Sequence, residues 1–594
     1  MNRIKDEQLY PKCLELCNIS SIWKMKGPKN KFSSYRGIFR VSIFRAILDK
    51  LIYNDEYDNI DGNLTDSNVG ARKRRNIRDN IFVLNAILNS QTGKNKEALD
   101  LQIYDVEQCF DSLWLHEVIT SLYEAGFKND KLPLLFLENR NAQVAVKTPG
   151  GLSNRVNIKN IIMQGSVWGS LCCVVLMDKL GKLVYSNPKL LYYYKGVVAC
   201  PPLQMVDDVL GVQKCSPTST YLNTVINTFM ELEKLSLSKT KCHKIHTGKL
   251  NKDCPTLKVH GTAMAESKSE KYLGDIIHQN GTPKPNLARR LSRGWGKVNE
   301  IFAIIKEAPL GRWKIKSGLI LRKSMLINTM LCNSEAWHGI TEGQVRAFEK
   351  IDEALIKGLL EGHSKIPIPA LYLETSQIPI RFILACRRLL YLQTILQRGA
   401  DELIFKVYAA QKNDPIKGDF CQLVNDDRQL IDLQLSDSQI SNMTRYELKL
   451  LVKSKARQAA FVHLMNIKES KSKMDNISYL NSFKILPYLE SMTREQSSLL
   501  LALRTRTVRG IRTDYGDLYL DKGCPLPGCP EADSLPHTLT CRVLQEAVQE
   551  PSLVQYGDVF NLDTNVQQLA VDRFALLLEA RDKILEGGNI GLAS

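Results

Sequence analysis

The stretch that most constrains the fold is LQMVDDVLGV at residues 203–212, where Asp207 and Asp208 interrupt an apolar run. Burying a carboxylate without a partner costs several kcal/mol, and two adjacent carboxylates also repel each other. The pair must therefore lie on a turn between two buried strands, or something positive must hold it. Taken alone, an ordinary surface turn with Asp as the turn former explains the pair.

A second strand that ends in an acid changes this interpretation. The segment LDLQIY (99–104) alternates like a strand, and Asp105 follows it directly. Carboxylates at the ends of neighbouring strands can share divalent cations, and two such ions about 4 Å apart stabilise the attacking and leaving oxygens of a phosphoryl transfer. We therefore predict a Mg²⁺ site, with Mn²⁺ as an alternative ion. Asp111 is expected to cap the helix that follows, and Asp426–Asp427 lies in a polar setting that needs no metal.

The charge of the chain predicts a polyanionic partner. Its 594 residues carry 80 Lys and Arg against 63 Asp and Glu, a net charge of +17. Solvated faces would explain one basic run, but several in one chain favour nucleic acid. The basic excess is concentrated in ARKRRNIR (71–78), LARRLSRGWGK (287–297), RWKIKSGLILRKS (312–324) and ALRTRTVRGIRT (502–513).

Cysteine usage and hydropathy indicate the compartment. The 15 cysteines are odd in number and mostly scattered, and no apolar stretch approaches the roughly 20 residues of a membrane span. We expect free thiols, a reducing intracellular compartment and no membrane partner.

The periodicity predicts a mixed α/β middle followed by helices. Residues 36–54 have apolar side chains at helical spacing, and SLWLHEVITSLYEAG is an amphipathic helix ended by Gly126. Residues 62–70 have loop composition, and 285–520 are nearly all helical.

Six segments, in this order, resemble the reverse transcriptase of a non-LTR (LINE-like) retrotransposon. Each is only moderately specific, but the order and spacing together are strong. The segments are GARKRRNIRDNIFVLNAI (70–87), IYDVEQCFDSLW (103–114), MQGSVWGSLCC (163–173), MVDDV (205–209), LSLSKTKC (235–242) and KYLGDII (271–277).

The resemblance assigns catalysis to four of these positions. It implies that Asp105, Asp207 and Asp208 hold two Mg²⁺ ions and that Lys241 protonates the leaving pyrophosphate. The structural alternatives are a turn, a strand end and a surface lysine.

The resemblance also assigns substrate contacts. It implies that Arg72 and Arg75 contact the incoming triphosphate, that Phe110 excludes a ribose 2′-hydroxyl, and that Gln164 and Gly165 lie near the nascent base pair. The alternatives are a solvated basic face, a core aromatic and a helix-entry loop.

The last matching segment would form a primer grip. The resemblance implies that Tyr272, Leu273 and Gly274 place the primer end, with an ordinary strand as the alternative. Two positions depart from the family pattern: Met205 stands where the family has Phe or Tyr, and Ser170 stands where it has Pro.

The implied fold is an α/β right-hand polymerase with fingers, palm and thumb, followed by an all-helical region and a small zinc knuckle. The basic helix LARRLSRGWGKVNEIF would contact a template–primer duplex through phosphates. The expected domains are fingers 1–90, palm 91–284, thumb 285–395, helical connector 396–520, zinc knuckle 521–545 and a helical tail 546–594.

A cysteine module near the C-terminus predicts structural Zn²⁺. CPLPGCPEADSLPHTLTC (524–541) offers three thiolates and one imidazole, which make a closed tetrahedral set. The ligands would be Cys524, Cys529, His537 and Cys541, and LINE-like proteins carry a similar module. We expect Cys242, His243 and His246, in contrast, to be structural because they lie on a strand pattern.

The function expected from this resemblance is RNA-directed DNA synthesis, with an RNA template, a DNA primer or target DNA and dNTPs as partners. A decayed or domesticated copy that only binds nucleic acid is the main alternative, and an RNA polymerase is a third. Neither end of the chain has room for an endonuclease of usual size, so we expect a fragment or truncated product. We expect it to work in the nucleus, at the site of target-primed synthesis.

Overall fold

The computed structural model describes most of the chain. The described residues are 4, 10–31, 34–91, 97–128, 130–140, 142–148, 150–158, 162–163, 165–248, 255–362, 365–469, 483, 485–508, 523–549 and 554–586.

The chain forms two compact units. The first unit comprises Met1–Asn286, Ala336–Gly339 and Thr394–Leu423. The second unit comprises Leu287–Glu335, Ile340–Gln393 and Val424–Ser594.

The described strands all lie in the first unit. They are β1 (Leu16–Trp23), β2 (Tyr35–Arg40), β3 (Leu99–Tyr104), β4 (Gln143–Thr148), β5 (Gly151–Leu152), β6 (Val156–Asn157), β7 (Tyr192–Tyr194), β8 (Val198–Cys200), β9 (Leu203–Met205), β10 (Asp208–Lys214), β11 (His243–Thr247), β12 (Lys258–Val259), β13 (Thr262–Ala263), β14 (Ala265–Glu266), β15 (Ser269–Tyr272) and β16 (Asp275–His278).

Two five-stranded sheets organise the first unit. One has the order β2-β1-β4-β5, with β6 also paired to β4, and the other has the order β14-β11-β3-β10-β9. In the second sheet β3 is central and antiparallel to both neighbours, β10 and β11. The predicted strand 99–104 is thus confirmed, and its position in the middle of a sheet explains why even Asp100 and Gln102 are fully buried.

Seven helices pack on these sheets. The main core combines apolar side chains of six of them, α1 and α3 to α7, with Tyr104 of β3 and Val209 of β10, and it includes Trp168 and Phe229. The helices are α1 (Ile43–Gly62), α2 (Ile77–Ser90), α3 (Cys109–Ser112), α4 (Leu115–Glu124), α5 (Leu132–Arg140), α6 (Gly169–Tyr185) and α7 (Pro217–Leu232).

One predicted helix is partly wrong. Residues 36–54 have helical spacing, yet Tyr35–Arg40 form strand β2, which pairs antiparallel with β1 from Trp23↔Tyr35 to Asn18↔Arg40. The helix begins only at Ile43, where Ser42 Oγ accepts a hydrogen bond from Arg45 N at 3.2 Å. Backbone pairing with a distant strand therefore overrides the local periodicity.

The rest of the described chain is helical, as predicted. The helices are α8 (Lys284–Glu307), α9 (Lys314–Leu321), α10 (Asn328–Met330), α11 (Glu342–Leu359), α12 (Ile368–Glu374), α13 (Ile380–Leu396), α14 (Leu403–Asn413), α15 (Phe420–Leu430), α16 (Asp437–Asn442), α17 (Arg445–Glu469), α18 (Tyr488–Ser491), α19 (Arg494–Arg504), α20 (Leu535–Thr540), α21 (Arg542–Val548) and α22 (Thr564–Leu585). Short 3₁₀ helices occupy Lys12–Leu14, Pro188–Leu190, Gly311–Trp313, Ser334–Ala336 and Tyr556–Phe560, and a π-helical turn covers Arg322–Ile327.

Buried ion pairs connect helices within the second unit. Arg322 donates to both carboxylate oxygens of Asp352 at 2.6 and 2.7 Å, and Arg388 does the same to Asp427 at 2.5 and 2.6 Å. Removing one partner of such a pair leaves a buried charge uncompensated, which is strongly destabilising. Asp427, expected in a polar surface setting, is instead a buried structural acid. Among the helices in the described part of the chain, none is long and apolar enough to cross a membrane.

Candidate active site

The acid pair lies on a tight hairpin, as predicted. Strands β9 and β10 are antiparallel with Met205 opposite Asp208, so Val206 and Asp207 form the turn. Val206 has a φ of 61°, and Asp207 has no positive φ. This is the pattern of a type II′ turn, whose first position normally takes glycine. A β-branched residue there stores on the order of 1–3 kcal/mol of strain, which the surrounding structure must offset.

Asp105 lies beside this hairpin because β3 pairs with β10. Val209 is opposite Tyr104, so the end of β3 and the start of β10 adjoin. The main chain of Asp105 is held by a neighbouring loop: Ser238 N donates to its carbonyl oxygen at 2.9 Å, and its own N–H donates to Cys242 Sγ at 3.4 Å. The structure thus brings the predicted carboxylates of two adjacent strands to one edge of the sheet.

The same loop delivers Lys241 to Asp105. Lys241 Nζ donates to Asp105 Oδ2 at 2.8 Å, and both side chains are partly open to solvent. The hydrogen bond to Asp105 raises the pKa of Lys241. An ammonium that stays protonated beside a carboxylate can donate a proton to a leaving group.

The carboxyl groups of Asp207 and Asp208 both have raised pKa values. Burial raises the pKa of Asp208 to about 6, and the Asp207 and Asp105 carboxylates add to the rise. Burial also raises the pKa of Asp207, and Asp105 adds to that rise. Clustered carboxylates of this kind are relieved by a bound cation, and their hard oxygen donors suit Mg²⁺. The three acids therefore fit a divalent metal site.

Two basic side chains near the acids are not predicted from the sequence as part of the site. Arg36 on β2 opposes the rise in the pKa of Asp207, and Lys271 on β15 opposes that of Asp208. The sequence does not identify Arg36 as a site residue, because the helical spacing of 36–54 predicts a helix there. The basic residues within 36–54 are the one sequence feature that points to a cation in this segment. The side chain of Arg36 is exposed.

The structure does not support the triphosphate contacts predicted for Arg72 and Arg75. Arg72 is buried, and its guanidinium donates to Asp61 Oδ1 at 2.6 Å and to backbone carbonyls, including that of Asn68 at 3.2 Å. Arg75 donates to Asp66 at 2.9 Å and to Glu402 at 2.9 Å. Both guanidiniums are already used by protein partners, so their role in this structure is to hold their own loop.

The structure shows the surroundings of Tyr272, which is predicted to place the primer end. It is buried, and its hydroxyl donates to the Leu203 carbonyl on β9 at 2.9 Å. It supports the acid hairpin within the fold and presents no surface to a primer. Leu273 and Gly274, with φ of 44° and 93°, form the turn between β15 and β16.

The remaining predicted residues differ in how far the structure describes them. Phe110 lies on α3, half-buried, and packs against the main core. Gly165 has a φ of 102°, and a Cβ there would lie 3.1 Å from the Phe39 carbonyl oxygen, so close backbone approach requires glycine. Gln164 lies outside the described residues. Asp111 does not cap the next helix: α4 begins after Trp114, without a side-chain cap.

The four residues of the cysteine module are brought together in the second unit. One ligand atom from each of Cys524, Cys529, His537 and Cys541 lies within 4.8 Å of all the others. Cys529 Sγ is 3.2 Å from His537 Nε2 and 3.8 Å from Cys541 Sγ. Two sulfur ligands 2.3 Å from a tetrahedral Zn²⁺ lie about 3.8 Å apart. The residues present therefore fit a tetrahedral metal.

A second group with metal-binding side chains lies on the sheet of β3. Asp100, Cys215 and His246 also have ligand atoms within 4.8 Å of one another. Asp100 is buried and already satisfied, since Lys244 Nζ lies 3.4 Å from its Oδ1 and Ser219 Oγ donates to its Oδ2 at 2.7 Å. With its charge balanced by Lys244, this group is a polar network of the sheet, in line with the structural role expected for His246.

Comparison with protein families finds one match for the segment that contains these acids. The sequence model of the family described as "Reverse transcriptase (RNA-dependent DNA polymerase)" matches residues 27–277, which include the acid hairpin, Asp105 and Lys241. Residues 27–277 are therefore similar to a reverse transcriptase domain. The matched segment is less than half of the 594 residues, and all of it belongs to the first unit.

Solved structures resemble this chain only distantly. Apo telomerase from Candida tropicalis is 12% identical with a TM-score of 0.37, covering 76% of this chain and 73% of that one. A C-terminally truncated form is 14% identical with a TM-score of 0.32, covering 47% of this chain and 57% of that one. A structure described as an RdRp complex is 11% identical with a TM-score of 0.33, covering 94% and 54%.

Scores this low carry no argument about function. The chain spans less than two thirds of the length of the truncated telomerase. Among curated proteins, nothing matches.

Proposed function

We propose that the chain is an RNA-directed DNA polymerase of a non-LTR retrotransposon. The observation that carries the proposal is the placement of Asp207 and Asp208 on a strained turn beside Asp105 and Lys241, within a domain of the reverse transcriptase family. Carboxylates on adjacent strands with a nearby ammonium are the groups that a nucleotidyl transfer needs.

Asp105, Asp207 and Asp208 would hold two divalent cations. When bound, such ions neutralise charge on the attacking and leaving oxygens of the transfer. The carboxylates supply hard oxygen donors, and binding a cation relieves the repulsion that raises the pKa of Asp207 and Asp208.

Lys241 and Phe110 would act on the nucleotide. Lys241 donates a proton from Nζ to the pyrophosphate oxygen as the bond to the α-phosphorus breaks. Phe110, fixed by its packing on the core, leaves no room for a 2′-hydroxyl, which selects deoxynucleotides. Both roles rest on the match of these residues to the family motifs.

The second unit would bind the template–primer duplex and carry a structural Zn²⁺. Along α8 the side chains of Arg293 and Trp295 are exposed, whereas Arg290 is buried. An exposed arginine such as Arg293 can contact a phosphate without reading sequence, with a strong dependence on salt. The Zn²⁺ would be held by Cys524, Cys529, His537 and Cys541 and would stabilise their module. In this proposal the predicted fingers, palm and thumb keep their boundaries.

Primer extension tests the proposal. Purified wild-type chain is given an annealed RNA template and DNA primer, dNTPs and Mg²⁺, and is compared with Asp207→Asn. The matched control is Asp426→Asn. Asp426 is exposed and is the first residue of the other Asp–Asp pair in the sequence. We expect extension by wild type and control and none by Asp207→Asn.

Two results would contradict the proposal in different ways. If folded wild type binds the duplex but extends nothing with Mg²⁺ or Mn²⁺, the chain is a nucleic-acid-binding protein with a polymerase fold. If wild type extends with rNTPs as readily as with dNTPs, the chain is not selective for DNA synthesis.

A further inference from the structure

The loop that contains Asn68, just before the basic segment 71–78, is hydrogen-bonded to the turn that carries the acid pair. Asn68 is 1% exposed and lies between α1 and α2 in sequence. Its Nδ2 donates to the Val206 carbonyl at 2.9 Å, and its Oδ1 accepts from Val206 N at 3.0 Å. One carboxamide therefore satisfies both backbone polar groups of the single residue in the turn that has a positive φ.

The neighbours of Asn68 fix it against the hairpin. Its Oδ1 also accepts from Gly70 N at 2.9 Å. Backbone hydrogen bonds join Gln204 N to Ser67 O at 2.8 Å and Val69 N to Gln204 O at 3.1 Å, so the loop runs beside β9 like an added strand. A Cβ on Gly70 would lie 2.6 Å from Val206 N, which shows how closely the two segments approach.

The two hydrogen bonds from the Asn68 carboxamide to Val206, here called the clamp, affect the position of the acid pair. Val206 precedes Asp207 and Asp208, and its φ of 61° sets the direction in which the chain leaves the turn. Valine avoids this conformation, because its branched Cβ crowds the backbone there. The turn therefore needs an external partner to stay in the conformation that places both carboxylates beside Asp105.

We propose that Asn68 is a positioning residue for the acid pair, acting by holding the Val206 peptide in its positive-φ conformation. This inference rests on the proposed function, since it concerns the same metal-binding carboxylates. Asn68 is almost fully buried, so in this proposal it acts through the backbone groups that it holds, chiefly those of Val206.

The experiment is a double-mutant cycle between Asn68 and Val206. Asn68→Ala removes both hydrogen bonds to Val206. Val206→Gly relieves the backbone strain at that position, because glycine adopts a positive φ without strain, so the turn should then keep its conformation without Asn68. We expect Asn68→Ala to lower kcat on the order of 10²-fold, the cost typical of a misplacement by 1 Å, with little change in KM for the primer–template. In the Val206→Gly background, the same substitution should cost less than tenfold.

A matched control separates positioning from folding. Asn63→Ala removes another carboxamide near the same loop, one that donates to the Asn59 and Ala125 carbonyls and does not contact the hairpin. It should leave kcat unchanged. If Asn68→Ala reduces kcat equally in both backgrounds, or lowers only the melting temperature, the positioning role is wrong.

A metal-binding readout keeps the test independent of activity. Mn²⁺ binding followed by electron paramagnetic resonance, with Asp207→Asn as the blank, reports on the carboxylates directly. Asn68→Ala should weaken this binding, and Asn68→Ala with Val206→Gly should restore it. If wild type extends primers while Asn68→Ala binds Mn²⁺ and extends normally, only this inference fails; if wild type neither extends nor binds Mn²⁺, the proposed function fails with it.

Discussion

Lys241 Nζ lies 2.8 Å from Asp105 Oδ2, so an ammonium occupies one side of a carboxylate to which we assign metal binding in the proposed function. The contact is partly exposed and contributes little to stability, as surface ion pairs generally do. In the proposed function its importance is electrostatic, because the lysine would compete with a divalent cation for the same carboxylate oxygen.

Lys241→Met should separate catalysis from metal binding. Loss of the proton donor should lower kcat on the order of 10²-fold or more, while the Mg²⁺ concentration for half-maximal rate should fall because the competing ammonium is gone. Mg²⁺ titrations of primer extension check both effects. Lys239→Met, on the same loop, is the matched control and should change neither. An unchanged kcat would exclude Lys241 as the proton donor.

Asp208→Asn should stabilise the metal-free protein while abolishing extension. The pKa of Asp208 is raised from 3.8 to about 6, chiefly by burial, so the folded state holds the proton more tightly than the unfolded state. Ionised Asp208 therefore costs stability above pH 6, and this cost disappears as the pH falls below 4. Discounted for the partial exposure of this side chain, the gain is about 1 kcal/mol, or a few degrees in melting temperature.

Thermal melting at two pH values and with added metal checks this prediction. The variant should melt above wild type at pH 7.5, and the difference should be much smaller at pH 4 and vanish below it. Added Mg²⁺ should reverse the order, since only wild type gains stability by binding it. Glu124→Gln, an exposed acid on α4, is the control. A variant less stable than wild type at pH 7.5 without metal would contradict the electrostatic argument.

Cys541→Ser should remove zinc from the purified chain. Cys541 is fully buried and lies 3.8 Å from Cys529 Sγ, so serine there removes one of four converging ligands. Metal analysis should find one zinc per wild-type chain and none in the variant. The binding of structural zinc in isolated modules is worth on the order of 10 kcal/mol, so the module should also become sensitive to protease.

A second cysteine provides the control for zinc loss. Cys332→Ser changes a half-buried cysteine outside the module and should keep the metal. Wild type that contains no zinc after expression in zinc-supplemented medium would rule out the proposed site. Arg581 donates to both oxygens of Asp533 at 2.8 and 2.9 Å and so connects the module to α22.

Much of the site could be predicted from sequence because it is local. The strand before Asp105, the turn at Asp207 and the helix that ends before Gly126 each depend on neighbouring residues. An acid pair inside an apolar run is also a local signal, since only a turn or a cation makes such a pair tolerable. The four ligands of the cysteine module are likewise visible as spacing.

Local patterning was therefore enough to predict acids at the ends of two strands, whereas only folding selects the other residues that surround them. Arg72 matches a motif, yet Asp61 and backbone carbonyls use its guanidinium; Asp427 looks like a surface acid, yet Arg388 buries with it. Asn68 carried no signal in a loop, yet its carboxamide reaches Val206, more than a hundred residues away. The physical reason is that polar side chains take their roles from whichever backbone and charged groups folding brings within hydrogen-bond distance, and periodicity and spacing do not encode those partners.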